Sequence, residues 1–105
     1  MTTGRLGAAN LSATTNTTIY TVPSSTVGSL SINVCNRNSN SVTVRLALAA
    51  SGTPDTTEWI EYDAPIPANG VLERTGLVLD AGKNVVAYAS ATNVSVVAWG
   101  YEEAA

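Results

Sequence analysis

The sequence contains no histidine and no phenylalanine, and it has a single cysteine, Cys35. Without histidine, the chain lacks the usual near-neutral general base, Ser-His-Asp and Cys-His catalysis, and histidine-containing zinc sites. One cysteine cannot form a disulfide within the chain, which excludes a disulfide-stabilised scaffold. We therefore predict a protein that is not an enzyme and needs no cofactor or metal. Its function should rest on surface shape and assembly, or on carboxylates.

Charge is also scarce. Charged residues make up 12% of the chain, with five Lys and Arg against eight Asp and Glu, for a net charge of −3. No basic block is present to neutralise phosphates or bind an anionic membrane surface, so neither nucleic acid nor membrane is expected as a partner. No apolar run approaches the roughly 20 residues that span a bilayer. The first residues also lack a charged segment followed by an apolar one, so no secretory signal is expected.

The abundant residues are Thr, Ser, Val, Ala and Asn. Thr and Val favour strands, and Asn and Ser supply turns. Polar and apolar residues alternate along 30–34 and 42–48, and the polar run 35–40 between them predicts a hairpin. In all, about seven strands are predicted, over residues 17–22, 30–34, 42–48, 59–63, 71–79, 84–90 and 94–101. The stretch 71–79 is either one strand with a bulge at Gly76 or two short pieces.

A chain of 105 residues has room for one domain. The predicted fold is an all-β antiparallel sandwich of about seven strands, Ig-like or jelly-roll-like, over residues 16–105. Residues 1–15 are predicted to form an extended or flexible N-terminal arm, because they are small and polar and have little hydrophobicity of their own. Such an arm is either disordered or lies across a neighbouring subunit by strand addition.

The last predicted strand has no fully polar face, since Val97, Trp99 and Tyr101 alternate with other apolar residues. It is therefore either covered on both sides or exposes an aromatic surface to a partner subunit. The aromatic residues of the chain are candidates for the core, for an interface or for a sugar-binding platform. The candidate interface residues are Arg5, Leu6, Leu11, Trp59, Trp99 and Tyr101.

Two further features have a functional and a structural interpretation. Glu61 and Asp63 share a face of a predicted strand and could bind a hard cation, but acids on an exposed strand also serve solubility. Cys35 is a candidate for a reactive thiol or an intersubunit disulfide, but an inert buried thiol is the commoner outcome for such a residue.

Three parts of the sequence together resemble small virion proteins of tailed bacteriophages. They are NTTIYTVP (16–23) leading into LSINVCNRN (30–38), IEYD (60–63) followed by LERTGLVLDAG (72–82), and VSVVAWGYE (94–102). These motifs are patterns of turns and strands, and they span most of the chain beyond the arm.

The resemblance implies a β-sandwich that is built into a virus particle and carries no catalytic residues. Such proteins include head decoration (cement) proteins, which often form trimers and clamp neighbouring capsid subunits with extended arms. We therefore expect a non-enzymatic capsid decoration protein that is assembled in the host cytoplasm and located in the virion. Its expected partners are the major capsid protein or other virion subunits, and it should form a homo-oligomer, with a trimer favoured. The alternatives are a tail or fibre accessory protein and a carbohydrate-binding adhesion module.

Overall fold

The computed structural model describes all residues from Met1 to Ala105 and contains eight β-strands. They are β1 (Thr3–Leu11), β2 (Thr17–Thr21), β3 (Thr26–Asn36), β4 (Val42–Ala49), β5 (Trp59–Ile66), β6 (Val71–Leu79), β7 (Asn84–Ala89) and β8 (Val94–Ala104). The seven predicted strands correspond to β2 through β8, and β6 is a single strand. None of the elements is a helix that could cross a membrane.

The strands form two four-stranded antiparallel sheets. The first has the order β1-β8-β3-β6, and the second has the order β2-β7-β4-β5. Because β1 pairs with β8, β2 with β7, β3 with β6 and β4 with β5, the chain is one long ribbon rolled into a sandwich. This is the strand order of a jelly roll. The prediction of an all-β antiparallel sandwich is confirmed, with eight strands in place of about seven.

The hydrophobic core lies between the two sheets. Side chains alternate across a strand, and β3 buries every second residue from Thr26 to Asn36. Nineteen buried residues form one continuous cluster. In a chain without phenylalanine, this cluster consists of Val, Ile, Leu and Ala side chains together with Tyr20. The β-branched residues that favour strands therefore also fill the core.

The segment predicted as an N-terminal arm is extended in the structure and forms the edge strand β1. It pairs with β8 of the same chain, from Thr3 opposite Tyr101 to Leu11 opposite Val94. Leu11 is buried in the core, and Leu6 packs against it. Thr3–Leu11 is thus part of the sandwich. Its few apolar side chains bury little surface, and pairing with β8 satisfies its backbone N–H and C=O groups.

The prediction that residues 30–34 and 42–48 form a hairpin is wrong. β3 lies in the first sheet and β4 in the second, so the polar residues between them carry the chain across the end of the sandwich. Strand alternation is the same in both arrangements, and it does not distinguish a hairpin from a crossing between sheets.

Asn36 holds this crossing together. Its side chain is completely buried, and its Nδ2 donates to the carbonyl oxygens of Asn40, Ile66 and Pro67 at 2.9, 3.2 and 3.0 Å. Its Oδ1 accepts from the backbone and side-chain N–H groups of Asn38 at 2.9 and 3.0 Å. One amide side chain therefore joins the end of β3, the crossing and the turn after β5.

A second polar contact joins the two ends of the chain to the second sheet. The buried Tyr20 hydroxyl donates to Glu102 Oε2 at 2.5 Å, and the backbone N–H of Thr2 donates to Glu102 Oε1 at 2.8 Å. The hydrogen bond from Tyr20 lowers the pKa of Glu102, with a further contribution from Thr2. Burial, followed by the bond to Glu102, raises the pKa of Tyr20.

This contact predicts an acid-sensitive stability. Because the pKa of Glu102 is lower in the folded than in the unfolded chain, its stabilising contribution is complete above about pH 4.3 and is lost as the pH falls through the folded value. The urea midpoint of the native protein should therefore fall more steeply below about pH 4.3 than that of Tyr20→Phe. Tyr62→Phe is the matched control, since Tyr62 is exposed, and should keep the native pH profile. Identical acid profiles for Tyr20→Phe and the native protein would contradict the prediction.

Candidate functional site

β8 presents a row of large side chains to solvent. Alternate residues of this strand are buried in the core. The intervening residues Val97, Trp99 and Tyr101 point away from the core and are 37%, 38% and 46% exposed. The last predicted strand has no fully polar face, and in the structure one face of β8 is buried in the core while the other exposes this row.

Small side chains lie beside this row. Ser31 and Ser29 of β3 pair with Trp99 and Tyr101 of β8. A shallow depression of about 140 Å³ lies here. It is lined by Ser29, Leu30, Ser31, Gly76, Trp99, Gly100 and Tyr101. The side chains of this lining offer hydroxyls and aromatic rings, and they include no carboxylate, amine or thiol.

Two valines of β6 extend the apolar surface on the far side of β3. Val71 and Val78 are 59% and 64% exposed, and their β3 partners, Cys35 and Ser29, are on the same side of the sheet. We call this solvent-facing side of the first sheet the outer face. It carries five of the seven exposed large hydrophobic residues of the protein: Val71, Val78, Val97, Trp99 and Tyr101.

The outer face also carries charges that have no partner within the chain. Arg5 of β1 pairs with Trp99 in the strand register, and Glu73 of β6 pairs with Asn33 of β3, which itself pairs with Val97. The three ion pairs of the protein are Arg45–Asp63, Arg74–Glu61 and Lys83–Asp80. Arg37 bonds to Ser95 and Asn10. Arg5 is therefore the one cationic side chain without a hydrogen-bond or ion-pair partner.

The structure brings together three of the six candidate interface residues. Arg5, Trp99 and Tyr101 are neighbours on the outer face. Leu11 is buried, and Leu6 is half-buried against the core, so both contribute to packing within the sandwich. The contribution of β6 does not follow from the sequence, although Val71, Glu73 and Val78 lie in a predicted strand.

Trp59 lies on the opposite side of the sandwich. It packs against a small second cluster of buried residues on the outside of the second sheet, formed by Ala47, Ala49 and Val86. Its ring meets that of Tyr62 edge-on, at 5.4 Å between ring centroids. The candidate interface residue Trp59 is thus remote in the fold from Trp99.

Beside Trp59, Arg45 is held between two aromatic rings. Its guanidinium carbon lies 4.1 Å from the Tyr62 ring centroid and 4.4 Å from that of Tyr88. The hydrogen bond to Asp63 at 2.7 Å raises the pKa of Arg45. Such stacking orients the guanidinium and leaves Tyr62 as the most exposed ring of the group.

The two carboxylates considered for a cation are each paired with a different arginine. Asp63 bonds to Arg45 at 2.7 Å, and Glu61 bonds to Arg74 of β6 at 3.0 Å. No group of three or more Cys, Asp or Glu side chains is placed to hold a metal ion. These acids act as ion-pair partners within the second sheet and between the two sheets.

Cys35 is a free, half-buried thiol on the outer-face side of β3. Its strand partners there are Ser95 of β8 and Val71 of β6. The thiol is therefore neither in the core nor fully exposed.

The outer face is thus an apolar surface that carries few charges. Comparison of the chain with family models, curated proteins and solved structures found no match.

Proposed function

We propose that this chain is a structural subunit of a bacteriophage particle, a capsid decoration (cement) protein that stabilises the head from outside. The observation that carries the proposal is the outer face, where five large apolar side chains are exposed in a chain with only 12% charged residues. Monomeric proteins seldom expose contiguous apolar surface of this kind unless it is a binding surface. The proposed role is therefore assembly rather than catalysis.

The scarcity of charge supports a role in assembly. Bringing two surfaces together removes their polar and charged groups from water, and each charge left without a partner costs free energy. The middle of the outer face carries serines, valines and aromatic rings, with Arg5 and Glu73 on its two edge strands and Glu103 near the end of β8. Such a surface loses little hydration when it is covered.

The class of particle rests on the sequence resemblance and on a fold-level analogy. Jelly rolls occur in viral capsid proteins and in lectins, and a fold alone does not determine function. The resemblance to small phage virion proteins favours a viral particle protein over a lectin. On this proposal the protein is assembled in the host cytoplasm, becomes part of the virion and binds the major capsid protein or other virion subunits.

The test uses particles of the phage that encodes the chain. After density-gradient purification, quantitative mass spectrometry should find the protein in many copies per particle, and immunogold labelling should decorate the head. Particles that lack the gene should lose DNA at a lower temperature than native ones. Label on the tail would replace the head assignment by the tail or fibre alternative. Absence of the protein from intact particles would overturn the proposal.

A carbohydrate-binding module is the second candidate, and the depression beside Trp99 favours it. Two aromatic rings flanked by the Ser29 and Ser31 hydroxyls could stack on a sugar and bond to its hydroxyl groups. If this is correct, a glycan panel should shift the tryptophan fluorescence of the native protein and of Trp59→Phe. Trp99→Phe should abolish the shift. A panel without any shift would remove this candidate.

A further inference from the structure

We infer that the outer face is the contact surface between two copies of this chain, packed face to face about a two-fold axis. The axis runs parallel to the strands, between β8 and β3. Two-fold dimers join the same patch of each copy, so the patch must be complementary to itself in shape and in charge. The outer face meets both conditions. This inference does not depend on the particle role proposed above, but it puts a dimer in place of the trimer that the resemblance implies, and in a particle it leaves the other faces of the dimer for contact with capsid subunits.

The shape is self-complementary because a ridge and a trough lie side by side. Val97, Trp99 and Tyr101 form the ridge on β8, and Ser29 and Ser31 line the trough on β3. In the order β1-β8-β3-β6, the midline of the sheet falls between these two strands. A two-fold axis on that midline places the ridge of each copy over the trough of the other. The two inner strands are then covered in the manner of packed sheets.

The same axis brings two of the unpaired charges of the outer face together, Arg5 and Glu73. It places β1 of one copy opposite β6 of the second copy, since these are the two edges of the sheet. Arg5 is level with Ser31, and Glu73 is level with Asn33. The two are thus offset by two residues, or about 7 Å along the strand, which an arginine side chain spans. Each dimer would contain this pair twice, and both charges lack a partner in the single chain.

The area is sufficient for a stable dimer. Four strands of nine to eleven residues, spaced about 4.8 Å apart, cover roughly 700 Å² in projection. The relief of the ridge and trough adds to the accessible area. Stable complexes bury about 800 Å² on each partner. Covering the outer face completely therefore gives an interface of the size that lasting association needs.

The experiment measures the mass of the full chain by size exclusion with light scattering, over about a hundredfold range of protein concentration. The native protein should give twice 10.8 kDa and should dissociate only on dilution. Trp99→Ser should be a folded monomer, with its fold checked by circular dichroism. Tyr62→Ser is the matched control, since Tyr62 is an exposed aromatic residue on the other sheet, and should remain a dimer.

Charge exchange provides a second test that leaves the ridge intact. Arg5→Glu and Glu73→Arg should each weaken the dimer about tenfold or more, because each places like charges opposite each other. The double variant Arg5→Glu/Glu73→Arg should recover the native dissociation constant to within about threefold. Recovery identifies the cross-copy pair even if Trp99→Ser fails to fold.

Several results would overturn the inference. They are a native monomer at every concentration, a trimer or larger ring, a dimer that survives Trp99→Ser, and charge variants whose effects simply add. The particle test remains separate from these. If the protein forms a dimer but is absent from virions, the inference stands and the proposed function is wrong. If the protein is a monomer but is present on virions, the proposed function stands and the inference is wrong.

Discussion

Replacing Gly100 by alanine should lower the free energy of unfolding by about 3 kcal/mol or more. Gly100 lies on the core side of β8, opposite Leu30 of β3. An added Cβ would overlap the carbonyl oxygen of Ser29 and would lie 2.7 Å from the Leu30 Cα. Both obstacles are backbone atoms, so no change of side-chain rotamer relieves them. The central strand pair of the first sheet would have to separate locally.

Urea unfolding followed by tryptophan fluorescence measures this loss. Gly52→Ala is the matched control, because an added Cβ there meets only the Thr18 hydroxyl, at 3.4 Å. Its free energy of unfolding should remain within about 0.5 kcal/mol of the native value. Equal midpoints for Gly100→Ala and the native protein would show that the two strands are not as close in solution as described.

Removing the Asn36 side chain should cost about 3 kcal/mol, the second largest expected loss. Asn36→Ala leaves a cavity where a completely buried side chain stood. It also removes the amide donor from three carbonyl oxygens and leaves the backbone N–H of Asn38 without its acceptor. Of the three, the Ile66 oxygen keeps the Ser41 hydroxyl as a donor and the Pro67 oxygen keeps the Gly70 N–H, whereas the Asn40 oxygen loses its side-chain donor. Buried polar groups left without partners add about 1–3 kcal/mol.

Asn40→Ala is the control for that substitution. Asn40 is an exposed residue of the same crossing, and its backbone carbonyl, which accepts from Asn36, is retained. Its unfolding midpoint in urea should match that of the native protein. A small loss for Asn36→Ala, of the size seen for Asn40→Ala, would show that the crossing does not depend on the buried amide.

The strands could be predicted from alternation, but the assignment of strands to sheets could not. β3 and β4 follow each other across a polar run and alternate regularly, which suits a hairpin as well as a crossing between sheets. In the crossing, β3 pairs with β6 and β8, and Asn36 bonds to the turn after β5, and all of these are contacts between segments distant in sequence. That β1 is a strand of the sandwich could not be predicted for a related reason, since its hydrogen-bond partner is β8, at the far end of the chain.

The candidate site was partly predictable in the same way. Alternation in β8 predicts that Trp99 and Tyr101 share a face, and their exposure depends only on which face meets the core. The sequence predicts an interface position for Leu11 because residues 1–15 have little hydrophobicity of their own, whereas pairing with β8 places Leu11 in the core. Val78 belongs to the site only through the pairing of β6 with β3.

The rolled ribbon also orders the steps of folding. Residues 50–58 separate β4 from β5, whereas residues 12–93 separate β1 from β8. Closing a short loop costs less conformational entropy than closing a long one, so pairing should start at the β4–β5 end and reach β1–β8 last. The outer face includes both late strands and is completed only in that final step. A half-folded chain therefore lacks the complete outer face, and pairing of two copies through that face has to follow the docking of β1 on β8.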